Sequence, residues 1–339
     1  MPNNPRITVT VQRTAASRDA GFAPPVPTFF GKAIGIAEVD VSAVATAEAY
    51  TPGDGQPPVC VGCIKPWIMP NCDPNHDTES DSLSPFCPPG TDLYVNADGS
   101  ILHTGIAPNG VVGQFINLKY GDPHDAPAPS QFYPIQIPPG DTPEICPECA
   151  QNPGGSEGPG AALYRHNIAC CNTNRLVCGQ QVDIEMETGN MVGPTGQGVR
   201  CLIHQGPGLS GGQDNIEFGA NDYTIRRGSN NPLVLFGKMP LGSPAETSSS
   251  IVTIPLYDGH VLCPGASCGT TVTIVGFLEV FIESVRNPQN TVDAYILSVS
   301  GCGSGGSAVN CNESDTEGGA SGGAVGTGGQ LVPVRLIRN

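Results

Sequence analysis

The sequence predicts a β-rich α+β fold, in which mixed or antiparallel sheets are combined with a few short helices and long disulfide-stapled loops. Three observations support this fold class. Runs of alternating apolar and polar residues recur along the chain, as expected for half-buried strands. Only three short segments show helical spacing. Fourteen cysteines stand among 45 glycines and 34 prolines in 339 residues, a composition typical of stapled loops.

The first fifty residues predict a strand–helix–strand unit. Ile7 to Gln12 alternates β-branched and polar residues and is expected to be a strand. Val26 to Gly35 carries apolar residues at helical spacing after Pro27, so a short helix is expected there. Val39 to Tyr50 alternates again and predicts the second strand.

Residues 51–160 are expected to be cysteine- and proline-rich loops with hairpins. Tyr94 to Leu102 predicts a hairpin with Asp98-Gly99 in its turn. Val111 to Leu118 and Phe132 to Ile137 predict further strands. No internal repeat is evident in the chain.

Residues 161–300 predict two short helices followed by strands. The helices are expected at Leu163–Cys171 and Thr195–His204. The strands are expected at Val182–Glu187, Leu233–Phe236, Ile251–Tyr257, Val272–Ile282 and Val292–Val299. The last two are predicted to be neighbours in the main sheet, with Val272, Ile274, Leu278, Val280 and Ile282 on one face and Val275, Phe277 and Phe281 on the other.

Residues 1–300 are therefore interpreted as one domain, with a glycine- and serine-rich segment at 301–330 and a terminal strand at 331–339. Pro333 cannot donate a hydrogen bond to a neighbouring strand, which places the terminal strand at an edge or at a bulge. We expect this strand to pair within its own chain.

The even, high number of cysteines predicts a disulfide framework and an extracytoplasmic location: periplasm, cell surface or extracellular medium. Neighbouring Cα atoms lie about 3.8 Å apart, closer than the ~4.4–6.8 Å usual in disulfides. Cys170 and Cys171 are therefore expected to have two different partners, of which Cys178 and Cys201 are the nearest in sequence. The disulfide candidates are Cys60, Cys63, Cys72, Cys87, Cys146, Cys149, Cys170, Cys171, Cys178, Cys201, Cys263, Cys268, Cys302 and Cys311.

Two local clips, Cys263–Cys268 and Cys302–Cys311, are expected from spacing. The Cys60-x-x-Cys63 and Cys146-x-x-Cys149 pairs allow three interpretations. Two such pairs provide four zinc ligands, a redox pair needs a helix N-terminus, and a secreted chain favours disulfides. Both pairs lie in proline- and glycine-rich loops, so disulfides are favoured.

Metal and cofactor signals are weak elsewhere. Asp73, Asn75, Asp77 and Asp81 form an oxygen-rich tract of the kind that calcium prefers. Pro74 interrupts the tract and the glycine of a calcium-binding loop is missing, so a solvated loop is the favoured interpretation. No other cofactor is predicted.

The charge balance argues against two kinds of partner, nucleic acid and anionic membranes. The chain has 15 basic and 31 acidic residues and a net charge of −16, which disfavours nucleic acid and anionic membrane surfaces. Met1 to Arg6 shows no signal peptide. Since disulfides require export, we expect the native form to carry a further N-terminal segment, which could anchor it in a membrane.

No catalytic centre is predicted. Ser210 and Ser321 lie in G-x-S-x-G matches, but neither has the strand before it and the helix after it that a nucleophile elbow needs. The histidines, among them His166 and His204, are scattered along the chain. Trp67, the only tryptophan, is expected to be a buried anchor.

An ordered set of segments resembles a known family. The segments are Val26-Pro-Thr-Phe-Phe-Gly-Lys-Ala-Ile-Gly35, Val41-Ser-Ala-Val-Ala-Thr-Ala-Glu-Ala49, Cys63-Ile-Lys-Pro-Trp-Ile-Met-Pro70, Gln131-Phe-Tyr-Pro134, Tyr164-Arg-His-Asn-Ile-Ala-Cys170, Gly189-Asn-Met-Val-Gly-Pro-Thr-Gly-Gln-Gly-Val199 and Val275-Gly-Phe-Leu-Glu-Val-Phe-Ile282. In this order they resemble the extracytoplasmic region of TadG-like proteins of Flp (tight-adherence) pilus assembly.

The resemblance covers most of residues 5–300 and implies a non-enzymatic envelope role. In that family an N-terminal transmembrane helix precedes the first strand, and this sequence starts without it. The expected partners are other pilus or envelope proteins, or further copies of the chain. A secreted filament-forming or adhesive subunit is the main alternative, and a secreted hydrolase ranks far below it.

Overall fold

The computed structural model describes the chain in two compact units, a small one and a large one. The described residues are 6–13, 26–27, 38–39, 41–49, 60–61, 63–72, 91–103, 105–120, 131–138, 146, 160–172, 174, 176–177, 179, 181–187, 191–206, 211–219, 223–245, 248–259, 271–286, 290–302 and 334–337. No helix among these residues is long and apolar enough to cross a membrane.

The small unit is a sheet that joins the two ends of the chain. β1 (Arg6–Arg13) and β17 (Val334–Ile337) both pair antiparallel with β4 (Val41–Ala49), one on each side. The terminal strand thus lies at an edge and pairs within its own chain, as the sequence predicts. β4 is therefore the central strand with which both β1 and β17 pair.

The helix predicted from Val26 is wrong at its first two residues. Val26–Pro27 forms β2, which pairs antiparallel with β3 (Glu38–Val39). Proline is tolerated in such an edge position because its missing N–H can face away from the partner strand. The rest of the predicted helix lies outside the described residues.

The large unit is built on a mixed sheet that curls back on itself. Its strand order is β10-β15-β14-β6-β8-β7-β16, and β16 also pairs with β15, so six strands form a closed ring of pairings. The β6–β14 and β7–β8 pairs are parallel and the others are antiparallel. The strands are β6 (Trp67–Pro70), β7 (Phe115–Tyr120), β8 (Gln131–Pro134), β10 (Gln181–Asp183), β14 (Ile251–Tyr257), β15 (Thr271–Arg286) and β16 (Thr291–Gly301).

β15 and β16 are the long neighbouring strands that the sequence predicts, but the predicted faces of β15 are wrong. Leu256 pairs with Gly276 and Tyr257 with Ile274, so the strand bulges at Val275. A bulge adds one residue and shifts the alternation of side chains. Ile274 therefore packs with Phe277 in one cluster, and Leu278 belongs to another.

Two short helices cover the sheet. α1 (Ala161–Ala169) and α2 (Val192–Leu202) confirm the two helices predicted in this region. They approach each other closely at Gly198, where a Cβ atom would lie 2.9 Å from Ile168 Cβ and from the Arg165 carbonyl. Glycine is needed there because any side chain would push the helices apart.

Smaller elements complete the large unit. β5 (Cys60–Val61) pairs with β9 (Leu176–Val177). The hairpin predicted around Asp98-Gly99 is confirmed: Val95 bridges to Ile101, and Gly99 has a φ of 84° in the turn. Hydrogen bonds from Ser100 lower the pKa of the exposed Asp98 carboxyl.

A separate three-stranded sheet carries the main departure from the predicted elements. Its order is β11 (Asn215–Phe218), β12 (Tyr223–Arg226) and β13 (Pro244–Ala245). The strand predicted at Leu233–Phe236 is instead the short helix α3 (Pro232–Leu235). The Asn231 side chain accepts a hydrogen bond from the Leu233 N–H, and Pro232 has the fixed φ of a first helical residue, so the chain turns instead of extending.

We expect Ile274→Asp to destabilise the large unit by at least about 3 kcal/mol, because it places an unpaired charge in the core. Ile274 is fully buried beside Tyr257 and Phe277. The matched control, Ile274→Val, should cost only about 0.5–1.5 kcal/mol. Urea unfolding followed by the fluorescence of Trp67, the only tryptophan, measures both values; equal costs for the two variants would contradict the buried position.

We expect deletion of residues 329–339 to speed amide exchange in β4, because β17 covers that edge of the strand. Hydrogen exchange should rise at Thr46–Ala49 and stay unchanged in β16, which belongs to the large unit. If β4 keeps its protection while the protein loses self-association, the terminal strand pairs between molecules.

Candidate functional site

The most exposed apolar surface among the described residues projects between β12 and β13. Leu233 and Met239 are 43% and 41% exposed, and Leu235, Phe236 and Leu241 are 65–66% exposed. We call these five side chains the apolar tip. Side chains of this type are usually buried, so a cluster of them in solvent marks a contact surface.

Local hydrogen bonds hold the apolar tip in one shape. The backbone N–H groups of Lys238 and Met239 donate to the Leu233 carbonyl at 2.8 and 3.0 Å, and the Ser243 hydroxyl donates to the Pro240 carbonyl at 2.7 Å. Gly237 and Gly242 have φ values of 65° and 75°, which side-chain-bearing residues rarely adopt. The tip is thus preorganised, which lowers the entropic cost of binding.

Asp214 anchors the base of the tip. Its buried carboxylate accepts hydrogen bonds from the Gly228 N–H at 2.8 Å, from the Asn231 amide at 3.0 Å and from the Ser248 hydroxyl at 2.6 Å. These bonds join three loops around one side chain. A Cβ atom on Gly228 would lie 2.0 Å from the Gln213 carbonyl oxygen, so the close approach requires glycine.

A second exposed patch lies at the other end of β12. Phe115 and Phe218 are 46% and 38% exposed, and each packs against Tyr295 with ring centroids 5.4 and 5.1 Å apart. Tyr223 continues the patch, 6.2 Å from Phe218. We call these four rings the aromatic patch. Since β12 begins at Tyr223 and leads into the tip at its other end, the two apolar surfaces lie at opposite ends of one strand.

The two surfaces differ in charge. Residues 228–243, which include the tip, contain Lys238 and no acidic residue. Acidic groups lie beside the aromatic patch: burial, followed by the charges of Glu283 and Asp293, raises the pKa of the Tyr295 hydroxyl. Arg286, paired with Asp293, also stacks 5.8 Å from the Phe115 ring centre. The tip therefore carries one cation, and the border of the patch carries both signs: Glu283, and the exposed Arg286 that pairs with the buried Asp293.

The cysteines form a node where α1 ends. Cys170 is bonded to Cys146 and Cys171 to Cys63, so the adjacent cysteines have two different partners, as their spacing requires. The partners suggested by sequence proximity, Cys178 and Cys201, are wrong, because Cys63 and Cys146 lie nearer to Cys171 and Cys170 in the folded chain. Each cysteine whose side chain is described is oxidised: Cys63, Cys72, Cys146, Cys170, Cys171, Cys201 and Cys302.

This pairing corrects two interpretations of the C-x-x-C motifs. Cys63 and Cys146 each bond to a residue of α1 or its end, and not to the other cysteine of their own motif. The four-cysteine zinc site and the redox pair within a motif are therefore both excluded for the oxidised chain. The remaining candidates, Cys87, Cys149, Cys178, Cys263, Cys268 and Cys311, lie outside the described residues, as does the side chain of Cys60.

Trp67 and Lys65 attach the cysteine node to the sheet. Trp67 is fully buried, as predicted, and its indole donates to the Tyr164 hydroxyl at 2.9 Å. Tyr164 in turn shares a 3.0 Å hydrogen bond with Thr195 of α2. The buried Lys65 ammonium donates to the carbonyls of Ile168 and Cys170 at 2.8 and 3.0 Å, where a cation also complements the helix dipole.

Around His204, the described residues form no continuous hydrogen-bonded chain of serine, histidine and carboxylate. His204 Nδ1 lies 3.2 Å from the Ser249 hydroxyl, while the Asp214 carboxylate binds Ser248 instead. Burial lowers the pKa of His204, and the charge of Asp214 opposes this shift. Ser210 and Ser321 lie outside the described residues.

The calcium candidates Asp73, Asn75, Asp77 and Asp81 also lie outside the described residues. A different group brings potential ligands together: Cys146, His166 and Cys170 place one ligand atom each within 4.8 Å of one another, although the two sulfurs are bonded to each other in the oxidised chain. The sequence offers one signal for this group, the His166-x-x-x-Cys170 spacing, which brings both residues to one face of a helix.

We expect Lys65→Met to cost about 1–3 kcal/mol, because it leaves buried carbonyl groups at the end of α1 without their donor. Lys238→Met removes the same charge from an exposed position and should change stability by no more than about 0.5 kcal/mol. Urea unfolding followed by Trp67 fluorescence compares the two variants. A Lys65→Met protein as stable as Lys238→Met would show that the ammonium has no structural role.

Comparison with protein-family models, curated proteins and solved structures finds no match for this chain. Its function is therefore inferred from the contacts, burial and charges of its own residues.

Proposed function

We propose that this chain is a non-enzymatic structural protein of the cell envelope or the extracellular space, and that it assembles through protein–protein contacts. The ordered segments that resemble TadG-like proteins support a role in Flp-type pilus assembly or surface adhesion. The observation that carries the proposal is the preorganised apolar tip, in which three large side chains are 65–66% exposed.

The oxidised cysteines support the location. Seven described cysteine side chains are all in disulfides. Such a framework persists in the periplasm or outside the cell, whereas cytosolic reductants would keep the thiols free. Disulfides hold loops in place without the larger hydrophobic core that would otherwise be needed, which suits a structural role.

The contact that we propose is between the apolar tip of one copy and the aromatic patch of the next. The two surfaces complement each other: Leu235, Phe236 and Leu241 offer flexible apolar side chains, and Phe115 and Phe218 offer partly exposed rings. Lys238, the only charged residue of 228–243, would then face Glu283 at the border of the patch, beside the exposed Arg286. Opposite charges at the rim of an interface steer association and favour one orientation.

The arrangement of the two surfaces determines the type of assembly. We propose that each copy uses its tip and its patch, which lie at opposite ends of β12, on two different neighbours, so that the contact is heterologous and not the reciprocal contact of a twofold dimer. A heterologous contact that does not close into a ring adds copies in an open chain. The proposal therefore favours a linear array over a symmetric dimer.

We expect Leu235→Ser/Phe236→Ser/Leu241→Ser (the tip variant) and Phe115→Ser/Phe218→Ser (the patch variant) each to be monomeric at concentrations where the wild type forms oligomers. An equimolar mixture should form a 1:1 dimer and nothing larger, since the tip variant retains its patch and the patch variant retains its tip. Sedimentation velocity distinguishes monomer, dimer and longer species.

Thr291→Ser, a conservative change on the sheet outside both surfaces, serves as the control and should assemble like the wild type. Circular dichroism and the Trp67 emission of each variant verify folding. A wild type that stays monomeric at all concentrations, or a mixture of variants that forms no dimer, contradicts the tip-to-patch contact.

A further inference from the structure

We propose that Cys146, Cys170 and His166 form a binding site for a soft divalent cation such as Zn²⁺, which opens when the Cys146–Cys170 disulfide is reduced. The disulfide and the imidazole are already in contact: Cys146 Sγ lies 3.9 Å from His166 Nε2, and Cys170 Sγ lies 3.7 Å from His166 Nδ1. This inference goes beyond the proposed function and does not rest on it.

The residue types and their spacing suit zinc. Thiolate sulfur binds zinc at about 2.3 Å and imidazole nitrogen at about 2.0–2.1 Å, so ligand atoms around a tetrahedral ion lie roughly 3.5–3.8 Å apart. The 3.7 Å between Cys170 Sγ and His166 Nδ1 is already close to that spacing. Cys146 Sγ lies 3.9 Å from the other ring nitrogen, Nε2, so it must move away from Cys170 and toward the Nδ1 side once the disulfide opens. Three protein ligands leave a fourth position for solvent, as in zinc sites that keep an open position.

The backbone fixes two of the three ligands. His166 and Cys170 are four residues apart at the end of α1, and the Cys170 N–H donates to the His166 carbonyl at 2.8 Å. Lys65 holds the Cys170 carbonyl from the other side at 3.0 Å. His166 and Cys170 are also buried, with 8% and 1% exposure, so the reduced site would keep two ligands in position.

Cys146 makes the site accessible. It is exposed, whereas its partner Cys170 is buried. An external dithiol can attack Cys146 Sγ, release Cys170 as a thiolate and then complete the exchange. The dithiol is oxidised to a disulfide as Cys146 and Cys170 become two thiols, and the two thiol protons are released when the metal binds.

The neighbouring Cys63–Cys171 disulfide is an internal control. It links Cys63 to Cys171, the neighbour of Cys170 in the sequence, and Cys63 is only 9% exposed. Neither Cys63 nor Cys171 belongs to the group of Cys146, His166 and Cys170. Limited reduction should therefore open Cys146–Cys170 first and leave Cys63–Cys171 intact.

The experiment uses the oxidised protein of residues 1–339. It is treated with a small excess of dithiothreitol, desalted without oxygen and titrated with Co²⁺, followed by competition with Zn²⁺. Alkylation and peptide mass spectrometry should find Cys146 and Cys170 labelled ahead of Cys63 and Cys171. The reduced protein should then develop the thiolate-to-cobalt charge-transfer band and the visible bands of a tetrahedral site, and the oxidised protein should not.

His166→Ala and Cys146→Ser should each weaken Co²⁺ binding by at least about tenfold. His103→Ala, which changes an exposed histidine outside the site, should bind like the wild type. Since Cys146 is exposed, its serine variant tests the site even if His166→Ala fails to fold. Preferential labelling of Cys63 and Cys171, or equal Co²⁺ binding by the reduced wild type and Cys146→Ser, would overturn the proposal.

Discussion

The buried segment from Cys63 to Pro70 holds the large unit together, because this one stretch of chain bonds to α1 or its end, to β8 and to β14. Cys63 is bonded to Cys171, Lys65 donates to the last carbonyls of α1, and Trp67 donates to Tyr164. The same segment continues as β6 inside the curled sheet. A buried donor or acceptor without a partner costs about 1–3 kcal/mol, so these hydrogen bonds constrain where α1 can lie.

The apolar tip and the aromatic patch are held by contacts other than those of this buried segment. The small β11–β13 sheet carries the apolar tip at one end, and the four hydrogen bonds to the Asp214 carboxylate define where the tip begins. The aromatic patch draws Phe115 and Tyr295 from the curled sheet and Phe218 from the small one. Contact surfaces that rest on rigid elements of this kind keep their shape before a partner arrives.

The long strands β14, β15 and β16 of the curled sheet could be predicted because their apolar patterns are long. β6, which lies in a region expected to be loop, and the bulge at Val275 could not, because both depend on pairing with β14. The helix of the tip could be predicted only in part. The apolar run at Leu233–Phe236 predicts a strand, whereas Asn231-Pro232 before it and Gly237 after it are residues typical of helix boundaries. Its exposure depends on what packs nearby, which no local pattern encodes. The cysteine partners cannot be predicted for the same reason, since Cys146 and Cys170 are 24 positions apart in the sequence and meet only in the folded chain.

The β1–β4–β17 sheet of the small unit gives the chain a particular mechanical response. Arg6 of β1 pairs with Glu48, whereas Ile337 of β17 pairs with Thr46, and both strands run antiparallel to β4. Tension that enters ahead of β1 and leaves after β17 therefore pulls these two strands in opposite directions along β4 and loads their hydrogen bonds in shear. In that geometry many bonds resist together, and the rate of forced unfolding of this sheet sets the load that the chain carries. The large unit, inserted between β4 and β17 in the sequence, is shielded from that load as long as the sheet holds.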